Sequence, residues 1–230
     1  MALNITKPGI ATFILFGLVW ITLIISFSTY WYRLKIESSS SSGSTEENDF
    51  TITVNMKYNE FKVTQETSFG KTTGTTDIKE TDQNRNQLAI FKTSLAFSVI
   101  GWLFVTASLV MVMANIAGLF IKLPKVAVLI AKFTPIVTLG CCFIALFVFL
   151  GLPNATKRDC MNSGGNEDTC STDQNIHFMG SHTEDTGNII VKTAWGPTTS
   201  WAAIVCATAL QLAGTIVNIM FQKYEHETPK

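Results

Sequence analysis

Apolar residues follow two kinds of pattern along this chain. Four long windows, 10–32, 93–121, 133–156 and 193–222, are nearly free of charge. Each can supply the ~20 apolar residues with which a helix crosses a ~30 Å hydrocarbon core. The second pattern is short. In "FTITVNMKYNEFKV" (50–63) apolar residues take every even position from Phe50 to Tyr58, and the phase then flips to Phe61 and Val63. Period two marks a half-buried strand. Only helices and closed barrels satisfy the backbone inside lipid, and the long windows lack barrel alternation. The pattern therefore predicts a membrane α-helical protein: a four-transmembrane-helix bundle with a small extracellular β-sheet built from the two outer loops.

The expected boundaries follow from the same pattern. They are a cytoplasmic segment 1–9, spans at 10–32, 94–121, 126–152 and 199–221, outer loops at 33–93 and 153–198, an inner link at 122–125, and a tail at 222–230. The apolar core of the first window is too long for a signal peptide and its basic n-region is Lys7 alone, so it reads as a retained helix closed by the belt Tyr30-Trp31-Tyr32. In the first loop, "ESSSSSGSTEEN" (37–48) reads as a flexible tether and 50–69 as a hairpin. With Asn59-Glu60 as the turn, Tyr58 faces Phe61, Met56 faces Val63, Ile52 faces Thr67 and Phe50 faces Phe69. The sheet core is then Phe50, Ile52, Val54, Met56, Tyr58, Phe61 and Val63; a bulge near Glu60 is the alternative. "GKTTGTT" (70–76) reads as a turn and third strand, while 77–93 is too polar to assign. In the second loop "NIHFMG" (175–180) and "NIIVKT" (188–193) are β-prone. A lone hairpin is marginal in water, so the economical arrangement joins strands of both loops into one sheet. "WGPTTSW" opens the fourth span, with Trp195 and Trp201 as interface anchors.

Composition agrees with burial in lipid: 47% of residues are hydrophobic and 15% charged, against about a quarter charged in ordinary soluble domains. The inner link carries Lys122 and Lys125, with Lys132 just beyond and no acid, whereas the two outer loops are together acidic. That asymmetry places both termini in the cytoplasm. Cys160 and Cys170 then lie on the oxidising side and are expected to form a disulfide, while Cys141, Cys142 and Cys206 sit within spans as packing residues.

Chemistry is scarce. Intramembrane enzymes and coupled transporters keep ionisable groups at depth, and here only Lys132 approaches the core, from the inner end, where snorkelling suits it. The polar residues at depth, Asn115, Gln211 and Asn218, read as helix-to-helix hydrogen-bonding groups. The small residues Ala114 and Gly118, and Ala203 and Ala207, are four apart and allow close helix approach. Cys160, Cys170, His177 and His182 form no zinc-finger spacing, and no catalytic triad, phosphate loop or basic nucleic-acid stripe appears. No catalytic, metal or cofactor-binding residue is therefore expected. Asn154-Ala155-Thr156 is a glycosylation sequon just outside the third span; Asn4-Ile5-Thr6 falls on the inner side.

Four spans, short inner termini, a large strand-patterned first outer loop, a smaller second one, and Gly196 and Trp201 at the entry to the fourth span resemble the claudin and peripheral-myelin-protein type of tetraspan. The resemblance implies the tetraspan fold. The family's Trp-Gly-Leu-Trp–Cys–Cys signature is missing, since the first loop has no cysteine, so barrier or ion-selective function does not carry over.

The expected function is non-enzymatic: a structural, adhesive or organising multi-pass protein of the plasma membrane or a secretory or endosomal membrane. It would self-associate, or bind another membrane protein, through its β-rich loops, with lipid around its helices and no small-molecule substrate or nucleic acid. The alternative is a channel or an accessory subunit of a channel or transporter.

Overall fold

The computed structural model describes residues 7–40, 49–119, 125–187 and 189–222. The sequon at Asn4, tether residues 41–48, link residues 122–124 and the tail from 223 onward lie outside the described residues. In chain order the elements are α1 (Lys7–Ser28), β1 (Tyr32–Ser40), β2 (Phe50–Met56), β3 (Glu60–Thr67), β4 (Gly70–Asp77), α2 (Arg85–Ile116), α3 (Lys125–Leu150), α4 (Leu152–Asn162), α5 (Glu167–Cys170), α6 (Asp173–Ile176), β5 (Gly180–Asp185), β6 (Ile189–Pro197) and α7 (Thr199–Met220). Four of these helices, α1, α2, α3 and α7, are long and apolar enough to cross a membrane.

The chain divides into two compact units. The first holds the described parts of Met1–Ser28, Leu95–Leu146 and Ala202–Lys230. Its helices touch in a closed cycle. Trp20 of α1 lies 5.9 Å from Trp102 of α2, ring centre to ring centre, and its indole N–H donates to Thr106 at 3.1 Å. Gly101 of α2 meets Cys141 and Cys142 of α3. Gln211 of α7 donates to the Pro135 carbonyl of α3 at 2.9 Å. Gly214 of α7 packs on the Phe16 ring of α1.

Proline organises the α3–α7 contact. Pro135 has no N–H, so the Ala131 carbonyl one turn earlier loses its helical partner. Asn218 supplies an amide 3.5 Å from that carbonyl, and Thr215 joins Gln211 on the Pro135 carbonyl at 3.3 Å. Gln211, Thr215 and Asn218 recur at four and three residues, which keeps them on one helix face. Ala203 and Ala207 extend that face and are buried. Gly118 departs from the expected small-residue pair. The α2 helix ends at Ile116, and Gly118 takes a φ of 71°, where glycine closes a helix rather than packing on its flank.

The second unit, Thr29–Ser94 with Phe147–Trp201, contains the sheet. Its order is β4-β3-β2-β1-β6-β5, with every neighbouring pair antiparallel. Strands from both polar segments thus form one six-stranded sheet. At its centre is β1, in a stretch whose pattern predicts the end of a span and then a tether. Its alternation of Tyr32, Leu34 and Ile36 is short, and the serine run that follows carries no strand signal. Trp31 and Tyr32, expected at a membrane interface, are buried in this unit.

The hairpin register also departs from expectation. Met56 pairs with Phe61, Val54 with Val63, Ile52 with Gln65 and Phe50 with Thr67. Lys57 N–H donates to the Glu60 carbonyl at 3.0 Å, so the turn is Tyr58-Asn59, one place earlier than Asn59-Glu60. Asparagine suits a turn better than glutamate does, and Glu60 is freed to accept from the Tyr30 hydroxyl at 3.0 Å. The shift moves pairing by two residues, so each side chain keeps its face.

Helix α2 begins well before the expected 94, and α4 occupies ground read as loop. The two facts are linked. Asp159 of α4, almost fully buried, accepts from Asn86 N–H at 3.0 Å and Gln87 N–H at 2.8 Å. The Asn86 side-chain amide adds a bond at 2.7 Å. A carboxylate thus caps the first turn of α2, where free N–H groups and the helix dipole favour negative charge.

Candidate recognition surface

Alternation sorts the sheet into two faces. One carries Tyr32, Leu34 and Ile36 beside Ile52, Val54, Met56, Phe61 and Val63. The other is polar: Lys35, Glu37, Thr53, Lys62, Glu66, Lys71 and Lys192 all lie on it. Lysine partners hold Glu37 and Glu66 below the ordinary carboxylate range, through ion pairs with Lys35 and Lys71. Such exposed pairs add little stability.

Of the expected sheet core, Phe50, Ile52, Val54, Met56 and Phe61 are half-buried, Val63 is exposed, and Tyr58 sits in the turn rather than a strand. The buried core of this unit is an aromatic cluster around Phe149, which is fully enclosed. Trp31, Phe91 and Phe178 put their ring centres 5.0, 5.4 and 5.7 Å from it. Tyr32 donates its hydroxyl to the Phe178 carbonyl at 3.0 Å, and burial raises its phenol pKa. Trp195, expected as a membrane anchor, is instead buried in β6. Its indole N–H donates to His177 O at 3.0 Å, and its ring lies where a Cβ on Gly180 would come within 2.8 Å. No local pattern announced this cluster, because its members come from four separated stretches of the chain.

Cys160 and Cys170 form a disulfide with Cα atoms 5.7 Å apart, which removes both from thiolate chemistry. Gly165 makes room for it: a Cβ there would fall 2.4 Å from the Cys170 sulfur. Cys141 and Cys142 are buried free thiols, whereas Cys206 is exposed on α7. Asn154 is exposed in the first turn of α4. Asn115 and Ala114 are half-buried on α2. Among the described residues no group of three or more His, Cys, Asp or Glu is placed to hold a metal ion.

Two open grooves flank the sheet. One, of about 420 Å³, lies at the end away from Trp31, between Glu37, Asp49, Phe50, Glu66, Ile190 and Lys192. The other, of about 410 Å³, lies between α6 and β5. There His182 sits 3.5 Å from Asp173 and 3.7 Å from Glu184.

The edges are the most open part of the sheet. All eight residues of β4 and all six of β5 are exposed. Among the described residues each has one sheet neighbour, so every second residue presents its N–H and C=O to solvent. Phe69, in the turn before β4, is 81% exposed. The sequence pattern predicts a separator at the "SHTED" of β5, because it has no apolar member, and the structure makes it a strand.

Fold and surface together define a chain with four helices fit to span a membrane and a six-stranded antiparallel sheet open at both edges. Comparison with known families and with curated proteins finds no match to this chain.

Proposed function

We propose that this is a non-enzymatic multi-pass membrane protein of structural, adhesive or organising type that self-associates through its outer sheet. One observation carries the reading: a sheet assembled from both polar segments leaves two fully exposed edge strands. Such edges are templates for pairing with another chain unless blocked by proline, inward charge or a covering element. In β4 there is no proline and Lys71 is the sole cation, while four of its eight residues are threonine, a good strand former. The proposal places the sheet and both loops outside the cell or in a secretory lumen and the termini in the cytoplasm. The Cys160–Cys170 disulfide suits that compartment. The likeness to claudin and peripheral-myelin-protein tetraspans belongs to this proposal as a likeness of layout.

A channel or accessory role would draw on the polar face of α7. Its Gln211 and Thr215 bond to the Pro135 carbonyl, which favours helix-to-helix adhesion over pore lining. Sizing in mild detergent tests the proposal. The wild-type chain is expected to run as a multimer, and Thr73→Pro, which removes an edge N–H, to shift it toward monomer. A wild-type chain that is monomeric at every concentration, or a multimer untouched by this change, would count against it.

A further inference from the structure

We infer that copies of this chain join head to tail, with β4 of one paired antiparallel to β5 of the next, so that one sheet continues from copy to copy. The inference rests on the self-association proposed above and names its edges.

Strand parity is the first support. Six strands with every neighbouring pair antiparallel leave β4 and β5 running in opposite directions. A second copy set beside the first in the same orientation therefore brings its β5 antiparallel to β4 without being turned. The alternation then extends unbroken, and a single kind of contact covers both exposed edges. A contact between unlike edges produces rows or rings rather than closed pairs.

Side-chain complementarity is the second support. Faces match when residue numbers across the junction sum to an even number, because Lys71, Thr73 and Thr75 share the polar face with Ser181, Thr183 and Asp185. One such register uses the whole of β5. It sets Lys71 opposite Asp185, Thr73 opposite Thr183 and Thr75 opposite Ser181, an opposite-charge pair and two hydroxyl pairs of the kind that stabilise antiparallel ladders. Lys71 already pairs with Glu66, so it would stand between two carboxylates. On the other face His182 falls opposite Gly74, whose missing side chain leaves open space. A ring laid over a strand glycine is a device the sheet already uses at Trp195 and Gly180. Pairing β4 with a second β4 would also match charges, Lys71 with Asp77, but would put Gly74 against Gly74 and leave β5 open.

Cysteine pairing in membranes tests the arrangement on the full chain. Thr73→Cys combined with Thr183→Cys is expected to give a ladder of dimers, trimers and higher species on non-reducing gels. Each single variant should stay at the background set by the native free thiols, at least ten-fold lower. A strong dimer from Thr73→Cys alone would overturn the inference in favour of β4–β4 pairing. So would a double variant that gives no ladder while sizing still finds a multimer. A monomer in sizing would instead remove the self-association on which the inference rests. Charge exchange gives a second readout: Lys71→Glu should weaken association, and adding Asp185→Lys should restore it. Failure of that rescue in a folded double variant would also reject the register.

Discussion

Asp159 joins α4 to the start of α2 through three hydrogen bonds, two of them to backbone N–H groups that no other helix residue can satisfy. Asp159→Ala should lower the stability of the sheet-bearing unit by about 3 kcal/mol, the loss of a cap plus stranded donors. Thermal unfolding of the detergent-solubilised protein measures this, and a change within error would show that the cap is dispensable. Tyr32 makes a pH-dependent contribution. Burial raises its phenol above the ordinary value of 10.0. The unfolded chain therefore gives up that proton first, and stability is full below pH 10 and falls as pH rises beyond it. Tyr32→Phe should cost about 1 kcal/mol at neutral pH, through the lost bond to Phe178, and should flatten the alkaline decline. Denaturant midpoints followed from neutral to alkaline pH would show it; an equally steep decline in the variant would reject the assignment. The Cys160–Cys170 pair was legible in the sequence, because the compartment speaks for cysteines, and the burial of Tyr32 was not. Asp159 was not, since its partners lie more than seventy positions away and a lone Asp in a polar stretch carries no sign of burial.

At the scale of elements, long uncharged runs announced α1, α2, α3 and α7 because a helix must match the thickness of the hydrocarbon core. Strands were legible where one face is apolar, and in β4 from its run of threonines. The "FTITVNM" run gave β2, but β5 has no apolar residue and β1 ends in three serines, so neither shows the alternation along its length. Two glycines, Gly214 and Gly165, hold elements together. A Cβ on Gly214 would lie 2.6 Å from the Phe16 ring. Gly214→Ala should therefore overpack the α1–α7 contact at a cost of about 2 kcal/mol, and Phe16→Leu should recover part of it; additive losses in the double variant would argue against direct contact. Gly165→Val should hinder closure of the bridge between α4 and α5. Thiol titration under denaturing conditions should find three free thiols in the wild type and a value approaching five in the variant. An unchanged count of three would show that the loop adapts.

At the scale of the molecule, joining both polar segments into one sheet was legible from the marginal stability of isolated hairpins. The register, the central place of β1 and the aromatic cluster around Phe149 were not, because they depend on contacts between distant stretches. The sheet's six-strand count has the larger consequence, since it leaves edges that can be shared between copies standing the same way up. Imaging of the protein in lipid nanodiscs by electron cryomicroscopy, at a resolution that separates strands, would show whether the sheet continues from copy to copy. Multimers are expected in which strands of neighbouring copies lie at the ~4.8 Å spacing of a continuous sheet. Multimers joined through their helices alone, with both sheet edges open to solvent, would contradict that arrangement.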